Sequence, residues 1–270
     1  MKDFAFEDMP LSRFEWVVGI SLAYLVLAVL AKQREKTDFL LPSSLRTGIF
    51  VIHNLLMSFG SLVMFLGLFM ASYHRGKASG FHFLLCEPKT DESSSFFFWL
   101  YLYYLSKYYE LFDTALAFLC RGKGPRHYFM HVYHHFYVLY MAYFYIKQRQ
   151  SLATVGVLFN TFVHIFMYYY YARAALAWET PWKNYITRLQ IVQFLTSFLC
   201  FFAALKAQNF SWNTLATHCS GTTALAANVI FNFTLLLLFF NVLSSNKKGR
   251  GNKKGIARHH QTTATTTKKE

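Results

Sequence analysis

The chain reads as an all-α integral membrane protein with seven transmembrane helices, on three observations. Of its 270 residues, 54% are hydrophobic and 15% charged, whereas a soluble domain carries about a quarter charged residues. The apolar residues gather into windows of about 20, the length that crosses a bilayer. Lys and Arg then fall unequally on the connections between those windows, the bias that orients membrane spans.

The windows lie near 14–31, 47–71, 95–119, 128–147, 152–172, 187–206 and 222–243. The first is long, lacks a small-residue cleavage site and follows acidic residues (Asp3, Glu7, Asp8), so it is read as a span rather than a cleaved signal peptide. The windows at 128–147 and 187–206 are the least apolar because they carry polar motifs. Seven spans put the termini on opposite sides. With the N-terminus luminal, the cytosolic segments 31–46, 120–127, 173–188 and 244–270 hold eighteen of the 27 Lys and Arg residues. The luminal segments hold eight, and Lys107 lies within a span. Lys147 and Arg149 run against the bias.

Residues 1–243 form one seven-span unit in this reading, and 244–270 a basic, disordered cytosolic tail. The net charge of +14 is then a topology signal that also touches anionic headgroups. Attraction of a polyanionic substrate to the cytosolic face is a second role for it. No nucleic acid is needed to explain it.

Four cysteines contain no C-x-x-C pair, so no redox or zinc motif is present. The charge count places Cys86 and Cys219 in luminal loops, where a bridge between them can form; two free thiols are the alternative. Cys120 and Cys200 sit in or at the ends of spans, as small hydrophobes. Asn209-Phe210-Ser211 is a glycosylation sequon in the same luminal loop as Cys219, whereas Asn232-Phe233-Thr234 lies inside the last span.

The strongest candidate for chemistry is His131-Val132-Tyr133-His134-His135. Three imidazoles in five residues at membrane depth need a reason. With His127 they fall within roughly a 100° arc of a helix. Three further polar clusters interrupt apolar spans. In Lys107-x-x-Glu110-x-x-Asp113-Thr114, Lys107, Glu110 and Thr114 share a helical face, and a purely structural ion-pair network is a serious competitor to a functional one. Asn160, His164, Met167, Tyr168 and Tyr171 share a face of the fifth span, where an aromatic stripe is usually packing. Thr187-x-x-Gln190-x-x-Gln193-Phe194 opens the sixth span, where polar residues can bond helix to helix as readily as they bind substrate.

Those four motifs, in this order and spacing, resemble the ELO family, the membrane elongases of long- and very-long-chain fatty acids. The resemblance covers about residues 14–243, with His53-Asn54 as a weaker touch. It departs in Met130, where the family usually has leucine, and in the C-terminal Thr267-Lys268-Lys269-Glu270, an imperfect dilysine signal. The resemblance implies residence in the endoplasmic reticulum membrane. It also implies six helices in a barrel around a closed-ended acyl tunnel, with one peripheral helix outside.

The activity implied is condensation of a long-chain acyl-CoA with malonyl-CoA, giving a 3-oxoacyl-CoA, CO₂ and CoA. No bound cofactor or metal is implied, and acyl-CoA and malonyl-CoA are co-substrates. The ketoacyl reductase, dehydratase and enoyl reductase of the elongation cycle are the implied partners, with membrane lipid as the surroundings. The middle histidine of the run, His134, would carry the acyl group. His131, His135, His164 and Asn160 would serve as base or donors. Lys107, Glu110, Asp113, Tyr168, Tyr171, Gln190, Gln193, Arg126 and Arg188 are assigned to substrate binding. Arg126 leans the substrate toward saturated or monounsaturated chains.

Chemistry supports this role for histidine on its own terms. Neutral imidazole is a competent nucleophile toward a thioester, and its acyl adduct is itself reactive. Two other classes compete. A di-iron membrane oxygenase needs roughly eight histidines in clusters. Of the eleven here, His74, His82, His218, His259 and His260 fall in loops or the tail. A seven-helix receptor or transporter explains the span count but not the histidine run.

Overall fold

The structure is a computed structural model that describes residues 4–34, 42–89 and 94–266. The dilysine pair Lys268-Lys269 lies outside the described residues. Within them the chain is helical, with nine α-helices. These are α1 (Phe14–Gln33), α2 (Ser43–Ser79), α3 (Ser94–Glu110), α4 (Phe112–Arg121), α5 (Tyr128–Lys147), α6 (Ala153–Ala175), α7 (Lys183–Ala207), α8 (Trp212–His218) and α9 (Thr222–Thr266).

Four of them are long and apolar enough to cross a membrane: α1, α2, α7 and residues Thr222–Ser244 of α9. The expected count of seven is not reached on that measure, for two reasons. The window at 95–119 is split at Leu111, whose N–H bonds to the Tyr108 carbonyl rather than continuing the α ladder. Helices α5 and α6 have the length, but their histidines and tyrosines dilute the apolar character. Helix α9 runs on past its apolar stretch to Thr266. Extending an established helix adds one hydrogen bond per residue without a new nucleation cost.

The break at Leu111 suits its flanks. Lys107 stands in the last turn of α3 and Asp113 in the first turn of α4, each of the sign its helix end favours. Helix α4 then stops at Gly122, which takes φ 67° and returns its N–H to the Phe118 carbonyl, the left-handed cap that glycine supplies without a Cβ penalty.

Helix α5 packs on α3, α3 on α2, α2 on α6, α6 on α7, α7 on α9, and α9 again on α5. The pairings close a cycle of six. Helix α1 lies outside it, against α5 and α4. Its buried residues Val17, Ser21, Tyr24 and Ala28 form one stripe at helical spacing, while Leu22, Val26, Leu27 and Val29 on the rest of the helix are exposed, as a lipid-facing helix requires.

One end of the bundle is fastened by loops. Cys86 and Cys219 form a disulfide with Cα atoms 5.0 Å apart. Arg75 donates two hydrogen bonds to the Glu87 carboxylate, at 2.9 and 2.7 Å. Glu87 also exchanges backbone contacts with Ser151 Oγ and Ser220, at 2.9 and 2.8 Å. Gly221 takes φ 64°, and an added Cβ would stand 2.5 Å from the Gln150 Cα, so no side chain fits. Lys147 pairs with Glu7 at 2.6 Å, and Arg149 lies 3.8 Å from Glu87. The two residues that ran against the charge bias are thus each matched by an acid at this end.

Candidate active site

The polar motifs meet where α3, α4, α5 and α6 converge. Lys107 and Glu110, both about 1% exposed, pair at 2.5 Å. One turn of one helix supplies both charges, so each is neutralised before any tertiary contact is made. Lys107 Nζ also donates to Asn160 Oδ1 at 3.0 Å, and Tyr103 Oη donates to the same oxygen at 3.0 Å. Two donors on that oxygen fix the amide, whose nitrogen then donates to His164 Nε2 at 3.3 Å. An accepting Nε2 leaves the His164 proton on Nδ1, which faces Glu110 Oε1 at 3.5 Å. This arrangement holds the His164 ring in one orientation against a buried carboxylate.

A second network centres on Asp113. Its Oδ1 accepts from His53 Nε2 at 2.6 Å and its Oδ2 from the Tyr168 hydroxyl at 2.7 Å, while His135 Nε2 stands 3.9 Å away. His131 Nε2 bonds to Thr114 Oγ1 at 2.9 Å. The His131 and His135 rings face each other with centroids 4.2 Å apart. Glu110 Oε2 and His135 Nδ1 are buried without a hydrogen-bond partner among the described residues. Unpaired polar atoms are costly at such depth, and they mark hydrogen-bonding capacity that the protein itself leaves unused.

His134 is placed differently. It stacks on Phe231 with ring centroids 6.1 Å apart and lines a cavity enclosed by α3, α5, α6, α7 and α9. Tyr103, Asn160 and Gln193 share that wall. From there the cavity runs past Val138, Phe198, Asn228 and Asn232 to Gly156, Leu152 and Leu225, beside the disulfide-linked end. Of the three imidazoles in the run, His131 is bonded to α4, His135 stands near Asp113 of α4, and His134 lines the cavity.

The structure thus brings together Lys107, Glu110, Asp113, His131, His134, His135, Asn160, His164, Tyr168 and Gln193. Tyr171 sits at the edge, 40% exposed, with its ring against Tyr168. Gln190 donates to the Met167 sulfur at 3.7 Å and so bonds α7 to α6. Arg126 and Arg188 are exposed and do not line the cavity. Asn209 is exposed in the turn after α7, and Ser211 of its sequon caps α8. His127 leaves the imidazole face, because it stands before α5 with φ 56°. Among the described residues no group of three or more His, Cys, Asp or Glu side chains is placed to hold a metal ion.

Sequence reasoning missed Tyr103, Asn228 and Asn232 as parts of the site. Tyr103 lies four residues before Lys107 and so on its face, a signal hidden in a run of aromatics. Asn228 and Asn232, four apart in an apolar helix, had the same readable spacing.

The ELO (GNS1/SUR4) family model matches residues 9–254. Fatty acid elongase A of Dictyostelium discoideum is 34% identical over 210 residues, covering 77% of this chain and 75% of its own length. Fatty acid elongase sre1 of the same organism is 33% identical over 191 residues, covering 69% and 68%. Very long chain fatty acid elongase 5 of Tachysurus fulvidraco is 32% identical over 164 residues, covering 58% and 54%. With the family model spanning nearly the whole chain and the histidine run at the centre of its helices, this multi-pass membrane protein belongs to the ELO (GNS1/SUR4) family.

Proposed function

We propose that this protein is a fatty acid elongase that condenses a long-chain acyl-CoA with malonyl-CoA to give a 3-oxoacyl-CoA, CO₂ and CoA. The observation that carries the reading is the position of His134, the one imidazole of the run that lines the enclosed cavity, whose wall mixes apolar side chains with hydroxyls and amides. The names of the relatives add the substrate class. In this reading the six-helix cycle is a barrel, the cavity is the acyl tunnel, and α1 is the peripheral helix of a seven-span protein.

A ring nitrogen of His134 attacks the thioester carbonyl. The C–S bond breaks, CoA leaves with a proton, and an acyl-imidazole remains in a pocket that excludes water. Malonyl-CoA then loses CO₂, and the electron pair of the broken C–C bond becomes an enolate. Its carbon attacks the acyl carbonyl and expels the imidazolide, which takes up one proton to restore His134. In this reading His164 gives or takes a proton, and Asn160, which shares the cavity wall with His134, donates to the oxyanion together with His131. Decarboxylation supplies the carbanion, so these steps call on no metal or bound cofactor.

The disulfide end is luminal in this reading and the opposite end cytosolic, where the exposed Arg126 and Arg188 meet the polyanionic CoA. Residence in the endoplasmic reticulum and work alongside the ketoacyl reductase, dehydratase and enoyl reductase of the cycle belong to the same proposal. Glycosylation of Asn209 tests the orientation: expressed in microsomes, the chain should lose mass on glycosidase treatment, and Asn209→Gln should not. Purified protein given acyl-CoA and isotopically labelled malonyl-CoA should release labelled 3-oxoacyl-CoA. With acyl-CoA alone it should release free CoA and gain an acyl mass on the peptide holding His134. Failure to condense sinks the function; condensation without that adduct sinks only the covalent route.

A further inference from the structure

Helix α1 stands outside the six-helix cycle, and a helix that merely covers the bundle needs only an apolar stripe. Its stripe carries two hydroxyls instead, on Ser21 and Tyr24. Ser21 Oγ bonds to the Val18 carbonyl and to the Tyr140 hydroxyl, at 3.0 and 2.7 Å. That contact docks α1 on α5 and leads no further. Tyr24 does something else. Only 7% exposed, its hydroxyl lies 2.9 Å from Thr114 Oγ1, and Thr114, 3% exposed, lies 2.9 Å from His131 Nε2.

A threonine hydroxyl has one proton to give and lone pairs to accept with, so its two partners are not independent. A phenol is the better donor of the pair. When Tyr24 gives its proton to Thr114, the Thr114 proton is left for His131, and Nε2 accepts. The proton of neutral His131 is then on Nδ1. Without the phenol, Thr114 is free to turn its proton to the carbonyl one turn back in α4, the usual alternative for a helical threonine. His131 then loses both its partner and its selected tautomer, and with them its fixed stance against His135.

We propose that Tyr24, from the peripheral helix α1, is a positioning residue of the active site that acts through Thr114 on His131. The proposal rests on the elongase reading, in which His131 serves the chemistry at His134. It makes α1 part of the catalytic apparatus rather than a lipid-facing cover.

The test compares condensation by purified full-length wild type, Tyr24→Phe, Thr114→Val, Thr114→Ser and Ser21→Ala, with thermal unfolding in detergent measured beside each. Tyr24→Phe and Thr114→Val should lower kcat roughly tenfold or more with KM for both substrates within about twofold, since what is lost is alignment for proton chemistry. Thr114→Ser keeps the hydroxyl and should hold kcat near wild type. Ser21→Ala weakens the docking of α1 without touching Thr114 and should leave kcat unchanged. Wild-type kcat in Tyr24→Phe overturns the proposal, and so does an equal fall in Ser21→Ala, which would make α1 docking the cause. Should Tyr24→Phe not fold, the Thr114→Val and Thr114→Ser pair decides by the same split. Absence of condensation in the wild type overturns the elongase reading instead, and the role of Tyr24 falls with it.

Discussion

Two buried ion pairs occupy this bundle, and they are built on opposite plans. Lys107 and Glu110 lie one turn apart on α3 and meet at 2.5 Å within it. Arg75 and Glu87 come from α2 and the loop after it, and meet through two parallel hydrogen bonds. Among the described residues, Glu110 Oε2 and His135 Nδ1 have no hydrogen-bond partner around the first pair, and Arg149 Nε and Nη2 and both side-chain polar atoms of Gln150 have none near the second. Around the second the protein adds a disulfide, a backbone link from Ser220 to Glu87 and two aromatic rings, Phe83 and Phe96, against the guanidinium. The first pair settles its own charge and is joined through Asn160 to the cavity that His134 lines. The second uses its charges to hold separate segments in place. Neither depth nor unused hydrogen-bonding capacity alone marks a polar cluster as catalytic; what separates the first is its link through Asn160 to the cavity wall that His134 shares.

That contrast breaks if the histidine cluster proves dispensable for activity or the loop end proves essential to chemistry. The largest effect should come from His134→Ala, which removes the only imidazole of the run that lines the cavity. We expect condensation to fall by about a thousandfold or more, as losses of a covalent nucleophile do, with the melting temperature within a few degrees of wild type. Retention of the wild-type rate would move the nucleophile elsewhere.

Glu87→Ala should act the other way round. It removes the carboxylate that takes two hydrogen bonds from the Arg75 guanidinium, 6% exposed for the whole residue, and breaking a buried pair from one side costs about 3–5 kcal/mol. Unfolding in detergent should shift accordingly, while the KM of the protein that remains folded stays unchanged. Opening the disulfide with Cys86→Ser should cost somewhat less, about 2–4 kcal/mol, with the same separation of stability from turnover. Gly221→Ala is the mildest change at this end. At φ 64° with Gln150 backbone in the way, it should cost more than the roughly 1 kcal/mol of an unstrained glycine replacement. A loss of kcat that outran the loss of stability in any of these three would mean that the loop end shapes the site directly.

Much of this was legible in the sequence because it depends on local spacing. The helical class, the apolar windows and the pairing of Lys107 with Glu110 follow from 20-residue runs and an i,i+3 step. So does the nearness of Asn160 to His164. The motifs also carried the family. Other features were not legible, for reasons that can be named. A hydropathy window cannot see the break at Leu111, which depends on one backbone hydrogen bond, nor that the histidines of α5 and α6 are sheltered by neighbours.

Periodicity put four histidines on one arc of a helix. It could not tell which of them would meet α4 and which a cavity, because the partners come from other segments. Lys147 and Arg149 looked like exceptions to the charge bias until Glu7 and Glu87, distant in sequence, were found beside them.

By itself, then, the sequence determined the class of the protein, its membrane setting and the residue types that gather for chemistry, since these rest on composition and on contacts within a few residues. Only the tertiary structure decided that His134 faces the cavity, that the His164 ring is held against Glu110, and that Tyr24 reaches His131 through Thr114. Each of those depends on side chains from different helices meeting within about 3 Å, the range over which a hydrogen bond has direction, and no spacing along one chain specifies that.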